Sequence, residues 1–170
     1  ILVLKEFIDH GDSLKALRVI PLPLRRFFVE AFQSFIFNRT VSMAYDNSKE
    51  LIQPLDGDVC FDKDDVLGRY QNDLKQRLAI PLVGYSYSKK NRFDYEISQI
   101  LAEEHVCPKD FFVKEMQEVS AEGGFRQAVM QCHNFSVDQS YLSFMLSRGS
   151  YATILLREII KPSNPVVAGL

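Results

Sequence analysis

Ser150 and Tyr151 stand in a short turn, Arg148-Gly149-Ser150-Tyr151, between an apolar strand pattern ending at Leu146 and an amphipathic helical pattern beginning at Ala152. Gly149 accepts a positive φ that other residues resist. The Ser150 hydroxyl suits an N-cap, where it would take a free amide of the following helix. If the Tyr151 ring is exposed above the turn, it offers a flat surface on which a nucleobase can stack, an interaction of about 1–3 kcal/mol per base. Arg148 could reach a phosphate beside it. The bland alternative is a strand–turn–helix connection and nothing more. Arg157 and Glu158, farther along the helix, read either as a structural ion pair or as participants in chemistry.

Two basic groups could meet an RNA backbone. Arg25 and Arg26 open the longest helical pattern, and Asn38 and Arg39 lie farther along it. Arginine holds phosphate through a planar fork of donors. Lys89, Lys90 and Arg92 sit beside Tyr85 and Tyr87, a mixture of cations and aromatics that fits RNA recognition. Each group also reads as a solvated edge or loop. His10, His105 and His133 are widely separated and make no metal-binding spacing. The serines lack a nucleophile elbow, and no glycine-rich phosphate loop occurs.

These residues need a scaffold, and the periodicities supply one. Residues 1–10 and 13–20 read as short elements. Arg25 to about Tyr45 reads as a helix with Phe28, Ala31, Phe32, Phe35 and Ile36 on its buried face. A short strand, Val59–Phe61, follows a Pro54–Asp58 turn. Asp62 is expected to cap a helix running to Arg77. Leu78–Tyr85 reads as a loop or edge strand because of Pro81 and Gly84. Helices are expected from Phe93 to about Glu104 and from Pro108, the latter carrying Phe111, Phe112, Met116 and Val119. An extended strand from Phe125 to Val137 and a second from Gln139 to Leu146 form an antiparallel pair. The final helix, Tyr151 to Lys161, is expected to bury Ala152, Leu155, Leu156 and Ile159. The fold class is α+β, with helices packed on a mostly antiparallel sheet.

Bulk properties set wide limits. The 170 residues suffice for one domain and part of another. Twenty basic against 22 acidic residues give a formal charge of −2. That balance excludes a uniformly basic nucleic-acid binder but allows a local basic patch. Cys60, Cys107 and Cys132 form no CxxC pair and read as reduced, partly buried thiols. No run of about 18 apolar residues marks a membrane span, and no signal peptide is visible, so a cytoplasmic location is expected. The start at Ile1, inside an apolar run and without methionine, reads as part of something longer.

The turn Gly149-Ser150-Tyr151-Ala152-Thr153, with Leu156-Arg157-Glu158 after it, is similar to the closing motif of the TruD family of tRNA pseudouridine synthases. Leu24 to Asn38 resembles that family's helix built on an Ala-[FY]-Gln-Ser-x-x-Phe-Asn core. The segments occur in the family's order and at about its spacing. Leu78–Tyr85 is similar to a Leu-Pro-x-x-Gly-Tyr stretch. The resemblance is strongest over residues 16–39 and 141–159. The sequence departs from the family at Leu146-Ser147-Arg148-Gly149-Ser150, which lacks a proline, and at Gly123-Gly-Phe-Arg126, which has one arginine where relatives often have two.

The resemblance implies an isomerase that converts a uridine of tRNA (position thirteen in the family) to pseudouridine, without cofactor or metal. It implies a carboxylate nucleophile, and no aspartate of this chain matches it. The resemblance therefore places the nucleophile upstream, in a missing N-terminal half, and implies that the 170-residue chain alone is inactive. Residues 1–137 would be most of an insertion domain, and residues 138–170 the strand and helix that return to the catalytic sheet. Gly149, Ser150 and Tyr151 would contact the target base. A non-catalytic RNA- or protein-binding module is the competing expectation, and a stand-alone enzyme on a small molecule is a third. Oligomeric state is not encoded in any of these patterns.

Overall fold

A computed structural model describes residues 2–147 and 150–169. The chain divides into two compact units at Ala128/Val129.

The first unit opens with α1 (Leu2–His10) and α2 (Ser13–Arg18). Asp12 caps α2, its Oδ1 accepting the amides of Leu14 at 3.0 Å and Lys15 at 3.1 Å. Pro21 ends this pair. Helix α3 then runs for 25 residues, Leu22–Asp46, with proline in its first turn. Its buried residues are Gln33, Ile36, Phe37, Thr40 and Ala44. The expected face was different: Phe28 and Phe35 are exposed. The true face is turned by about one residue, roughly 100°. The aromatic-rich stripe misled because two polar residues belong to the buried one. Both are satisfied there: Gln33 Nε2 donates to the Val83 carbonyl at 2.7 Å, and Thr40 Oγ1 to the Ile36 carbonyl at 2.9 Å.

Four antiparallel strands form the sheet in the order β2-β1-β3-β4: β1 (Val59–Phe61), β2 (Leu67–Arg69), β3 (Arg77–Leu82) and β4 (Gly124–Gln127). No helix forms over 62–77. Asp62 Oδ1 accepts the amides of Asp64 and Val66 at 2.8 and 2.9 Å, and Asp65 takes a φ of 62°. The acidic cluster thus builds the β1–β2 turn instead of a helix N-terminus, a competition that aspartate side chains often win. Strand β3 is interior at Leu78, between β1 and β4. At Pro81 its sole neighbour is β4, so the missing proline N–H is tolerated as on an edge.

The core lies between α3, β3 and α4 (Asp94–Glu103) and includes Ile36, Phe37, Leu78, Ile80, Phe93, Ile97, Ile100 and Phe111. The helix expected from Pro108 is instead two 3-10 turns, Pro108–Phe111 and Lys114–Val119. Met116, at φ −139°, breaks the second, and Phe112 is exposed. Gly84 is required where it stands: a Cβ there would collide with the Gly123 amide and the Glu122 carbonyl.

The expected long strand is likewise two. Residues 128–131 interrupt it, and β5 (Cys132–Asp138) belongs to the second unit. It pairs antiparallel with β6 (Tyr141–Leu146) across the Gln139-Ser140 turn, with an irregularity between His133 and Ser136. Helix α5 (Ala152–Ile160) follows and closes on Lys161 in the left-handed region. No residue of β5, β6 or α5 is buried. Leu155 and Leu156 are half-buried, while Ala152 and Ile159, expected inside, are exposed. Phe135, Val137, Met145, Ile154 and Ile160 add exposed apolar surface to this unit.

Candidate nucleic-acid interface

The β6–α5 turn presents Tyr151 to solvent: the residue is 72% exposed. Its backbone is extended (φ −107°, ψ 118°), and it occupies the N-cap position itself, with no side-chain hydrogen bond to the helix. Ser150, expected as the cap, lies one residue earlier. Its amide donates to the Ser147 carbonyl at 3.1 Å. Arg148 and Gly149 lie outside the described residues. The Arg157–Glu158 contact is exposed and long, 3.9 Å, so it contributes about 0–1 kcal/mol at most.

In the first unit the two arginines at the start of α3 converge on one glutamate. Arg25 is mostly buried. Its Nε donates to the Ile20 carbonyl and its Nη1 to Glu118 Oε1, both at 2.9 Å. Arg26 is exposed, with its Nε on the Glu118 carbonyl at 2.8 Å. The Glu118 carboxyl is held below the usual range, first by its own backbone amide and then by Arg25. Asn38 is exposed, and no hydrogen bond of its side chain is found among the described residues. Arg39 is paired with Glu103 at 2.7 Å and Glu104 at 3.4 Å.

Lys89 and Lys90 are exposed in the loop before α4, and no described carboxylate pairs with either. Arg92 is committed elsewhere: its Nε meets Asp58 Oδ1 at 2.9 Å, and its guanidinium lies over the Phe93 ring at 4.7 Å. The loop is anchored from below. Lys49 Nζ donates to the Arg92 carbonyl and pairs with Glu96 Oε2 at 2.7 Å, while Asn47 Nδ2 donates to Glu96 Oε1 at 3.0 Å. Burial pushes the fully buried Glu96 carboxyl up, but bonds from Lys49 and Asn47 more than offset this, and its pKa falls below the usual value. Tyr87 shares its hydroxyl with Asp94 at 2.9 Å and Asn91 at 3.1 Å, and burial raises its pKa.

In the sequence Gln33 and Ser34 read only as polar residues between apolar neighbours; in the fold Gln33 staples α3 to Val83, the residue after β3. A polar residue at helical spacing from Ile36, Phe37 and Thr40 was the available signal. A cleft of about 400 Å³ runs beside it, between the first half of α3 and residues 117–123, with Arg26, Glu30, Glu118 and Glu122 among its walls. Cys60 is buried, but Cys107 and Cys132 are exposed, contrary to the expectation of three partly buried thiols. Among the described residues, no group of three or more His, Cys, Asp or Glu side chains is placed to hold a metal. No described helix is long and apolar enough to cross a membrane.

The sequence model of the family tRNA pseudouridine synthase D (TruD) matches residues 2–159. This chain belongs to the TruD family. A Pyrobaculum islandicum protein described as "Probable tRNA pseudouridine synthase D" is 32% identical over 167 residues, covering 96% of this chain. A Methanopyrus kandleri protein with the same description is 32% identical over 165 residues, covering 93%. The chain spans 40% and 38% of those two relatives. A Methanosarcina mazei crystal structure, described as a TruD protein, superposes with a TM-score of 0.79 over 97% of this chain and 44% of its own length. At 24% identity that likeness establishes the fold. In this TruD chain the two motif segments fall in different units: Ala31–Asn38 on α3 in the first, and Ser150–Glu158 at the start of α5 in the second.

Proposed function

We propose that this chain is part of an enzyme that isomerises a uridine of tRNA to pseudouridine. The observation that carries the reading is a TruD sequence match over nearly the whole chain, with Tyr151 standing in solvent at the motif's strand–helix turn. Net chemistry adds no atoms. The bond from uracil N1 to the ribose C1′ breaks, a bond from C5 to C1′ forms, C5 loses a proton and N1 gains one. A carboxylate nucleophile carries the sugar or base through the step, and we assign it to a part of the protein outside these residues. Extruding the target nucleotide costs a few kcal/mol. Stacking on Tyr151, with contacts to the base from Ser150 and Gly149, offsets a share of that cost.

The remaining assignments follow from charge. Lys89, Lys90 and Arg26 are the described cations of the expected set that no described carboxylate neutralises, and we assign the two lysines to tRNA phosphates, together with Arg148. Arg26 and Asn38 are exposed and can assist. Arg25, Arg39 and Arg92 spend their guanidiniums on carboxylates within the protein, which leaves them positioning roles. The exposed apolar residues Met145, Ile154 and Ile160 support the reading of residues 138–170 as the returning strand and helix of a catalytic domain. Residues 1–137 then serve as most of the insertion domain.

The test is tritium release from tRNA carrying 5-tritiated uridine, with the protein as encoded and with residues 1–170 alone. Release by the encoded protein, and none by the 170 residues, is expected. Release by the 170 residues alone would contradict the placement of the nucleophile. Tight tRNA binding without release by the encoded protein would favour a binding module.

A further inference from the structure

We propose that Arg126, laid over Phe37 and tethered by Ser34, is a phosphodiester-binding residue, with Asn38 as a second donor beside it. The inference rests on the tRNA reading above and adds a contact point to it. Arg126 lies on the edge strand β4, opposite Ile80 in register, and its side chain crosses to α3. Its guanidinium carbon stands 5.1 Å from the centroid of the Phe37 ring. Phe37 is buried, so the ring is a fixed platform that limits the rotamers of the arginine above it. Both Nη atoms lean on one acceptor, Ser34 Oγ, at 3.3 and 3.4 Å. These are long bonds to a neutral hydroxyl, and they leave most of the fork's five donors open.

Of the seven other arginines of this unit, five pair with carboxylates, and Arg26 and Arg69 donate to the Glu118 and Gly57 backbone carbonyls. Arg18, Arg25, Arg39, Arg77 and Arg92 each meet a carboxylate. No carboxylate pairs with Arg126 among the described residues. It is therefore a preorganised, exposed cation without a counter-charge, in a chain whose overall charge is −2. Asn38 follows Ser34 by one helical turn on α3 and adds an exposed amide. Guanidinium, hydroxyl and amide together fit a phosphate oxygen pair and a neighbouring ribose hydroxyl. The nearby cleft is a poor site for the same anion, because Glu30, Glu118 and Glu122 line it.

The experiment measures tRNA affinity of the encoded protein across salt concentrations for wild type, R126A, R126K and S34A, with a thermal melt of each. R126A is expected to bind about tenfold more weakly and to lower the slope of log affinity against log salt by about 0.7–0.9, the signature of one lost phosphate contact. R126K should restore the slope but only part of the affinity, since lysine lacks the fork. S34A should lose about twofold with its slope intact. An R126A protein with wild-type affinity, or with weaker binding at an unchanged slope, overturns the proposal while the enzymatic reading stands. A wild-type protein with neither tRNA affinity nor tritium release overturns both.

Discussion

Replacing Lys49 by methionine strands a carboxylate in the core, and the cost can be worked from the geometry. Glu96 is fully buried and holds two partners, Lys49 Nζ at 2.7 Å and Asn47 Nδ2 at 3.0 Å. Removing one partner of a buried pair costs about 3–5 kcal/mol. Lys49 itself is 27% exposed, and water can enter once it is gone, so the lower end, about 3 kcal/mol, applies. For a chain of this size each kcal/mol moves the melting temperature by about 2–4 °C, which predicts a fall of roughly 6–12 °C for K49M at neutral pH. The folded Glu96 pKa is depressed below its usual value, so its stabilisation is present above the unfolded pKa near 4.5 and is lost as pH falls through the folded value. In K49M the carboxylate keeps its burial and loses its cation, so protonation relieves it. The gap between variant and wild type should therefore begin to shrink as pH falls through the variant's raised Glu96 pKa and keep shrinking down to the depressed wild-type one. The double variant K49M/E96L, which removes both charges, should melt closer to wild type than K49M does. Calorimetry of the protein at pH 7 and pH 4 reads all three. A K49M transition within about 1 °C of wild type at pH 7, or a gap that widens in acid, would refute the reasoning.

Gln33→Leu should leave the Val83 carbonyl without its donor and cost about 1–3 kcal/mol in urea unfolding, while Gln33→Glu should cost more at neutral pH than in acid. Arg25→Met should lower the melting temperature, because Glu118 and the Ile20 carbonyl lose a mostly buried partner, yet leave the salt slope of tRNA binding unchanged. The double variant K89A/K90A should do the reverse: an unchanged melt, weaker tRNA binding, and a salt slope reduced by about 1.4–1.8.

The elements built by strong local patterns were legible in the sequence. Helices α3, α4 and α5 and the β5–β6 pairing follow from periodicity and short polar turns, and the helix ends fall close to the expected ones, whereas β5 begins at Cys132 inside the strand expected from Phe125. The stretch from Asp62 to Arg77 was not legible. Three aspartates at a helix-like start carry the same capping chemistry whether they close a turn or open a helix, and the strand partner that decides between them is β1. The facing of α3 was hidden for a related reason. Its buried stripe contains Gln33 and Thr40, whose acceptors lie on Val83 and Ile36, and a count of apolar residues sees neither bond. Arg25 and Arg39 were read as free cations because their acidic partners, Glu118 and Glu103, are far away in sequence. Tyr151 was readable as a candidate because a strand and a helix bracket it. Its exposure depends on how the turn is built.

The central claim is that the Tyr151 ring holds an extruded uracil. Single-turnover pseudouridine formation in tRNA, measured for the encoded protein with Tyr151, Y151F and Y151A, tests it most directly. The account predicts that phenylalanine retains most of the rate and that alanine loses roughly 5- to 150-fold, the equivalent of about 1–3 kcal/mol of stacking. A Y151A protein that isomerises uridine at the wild-type rate would contradict it.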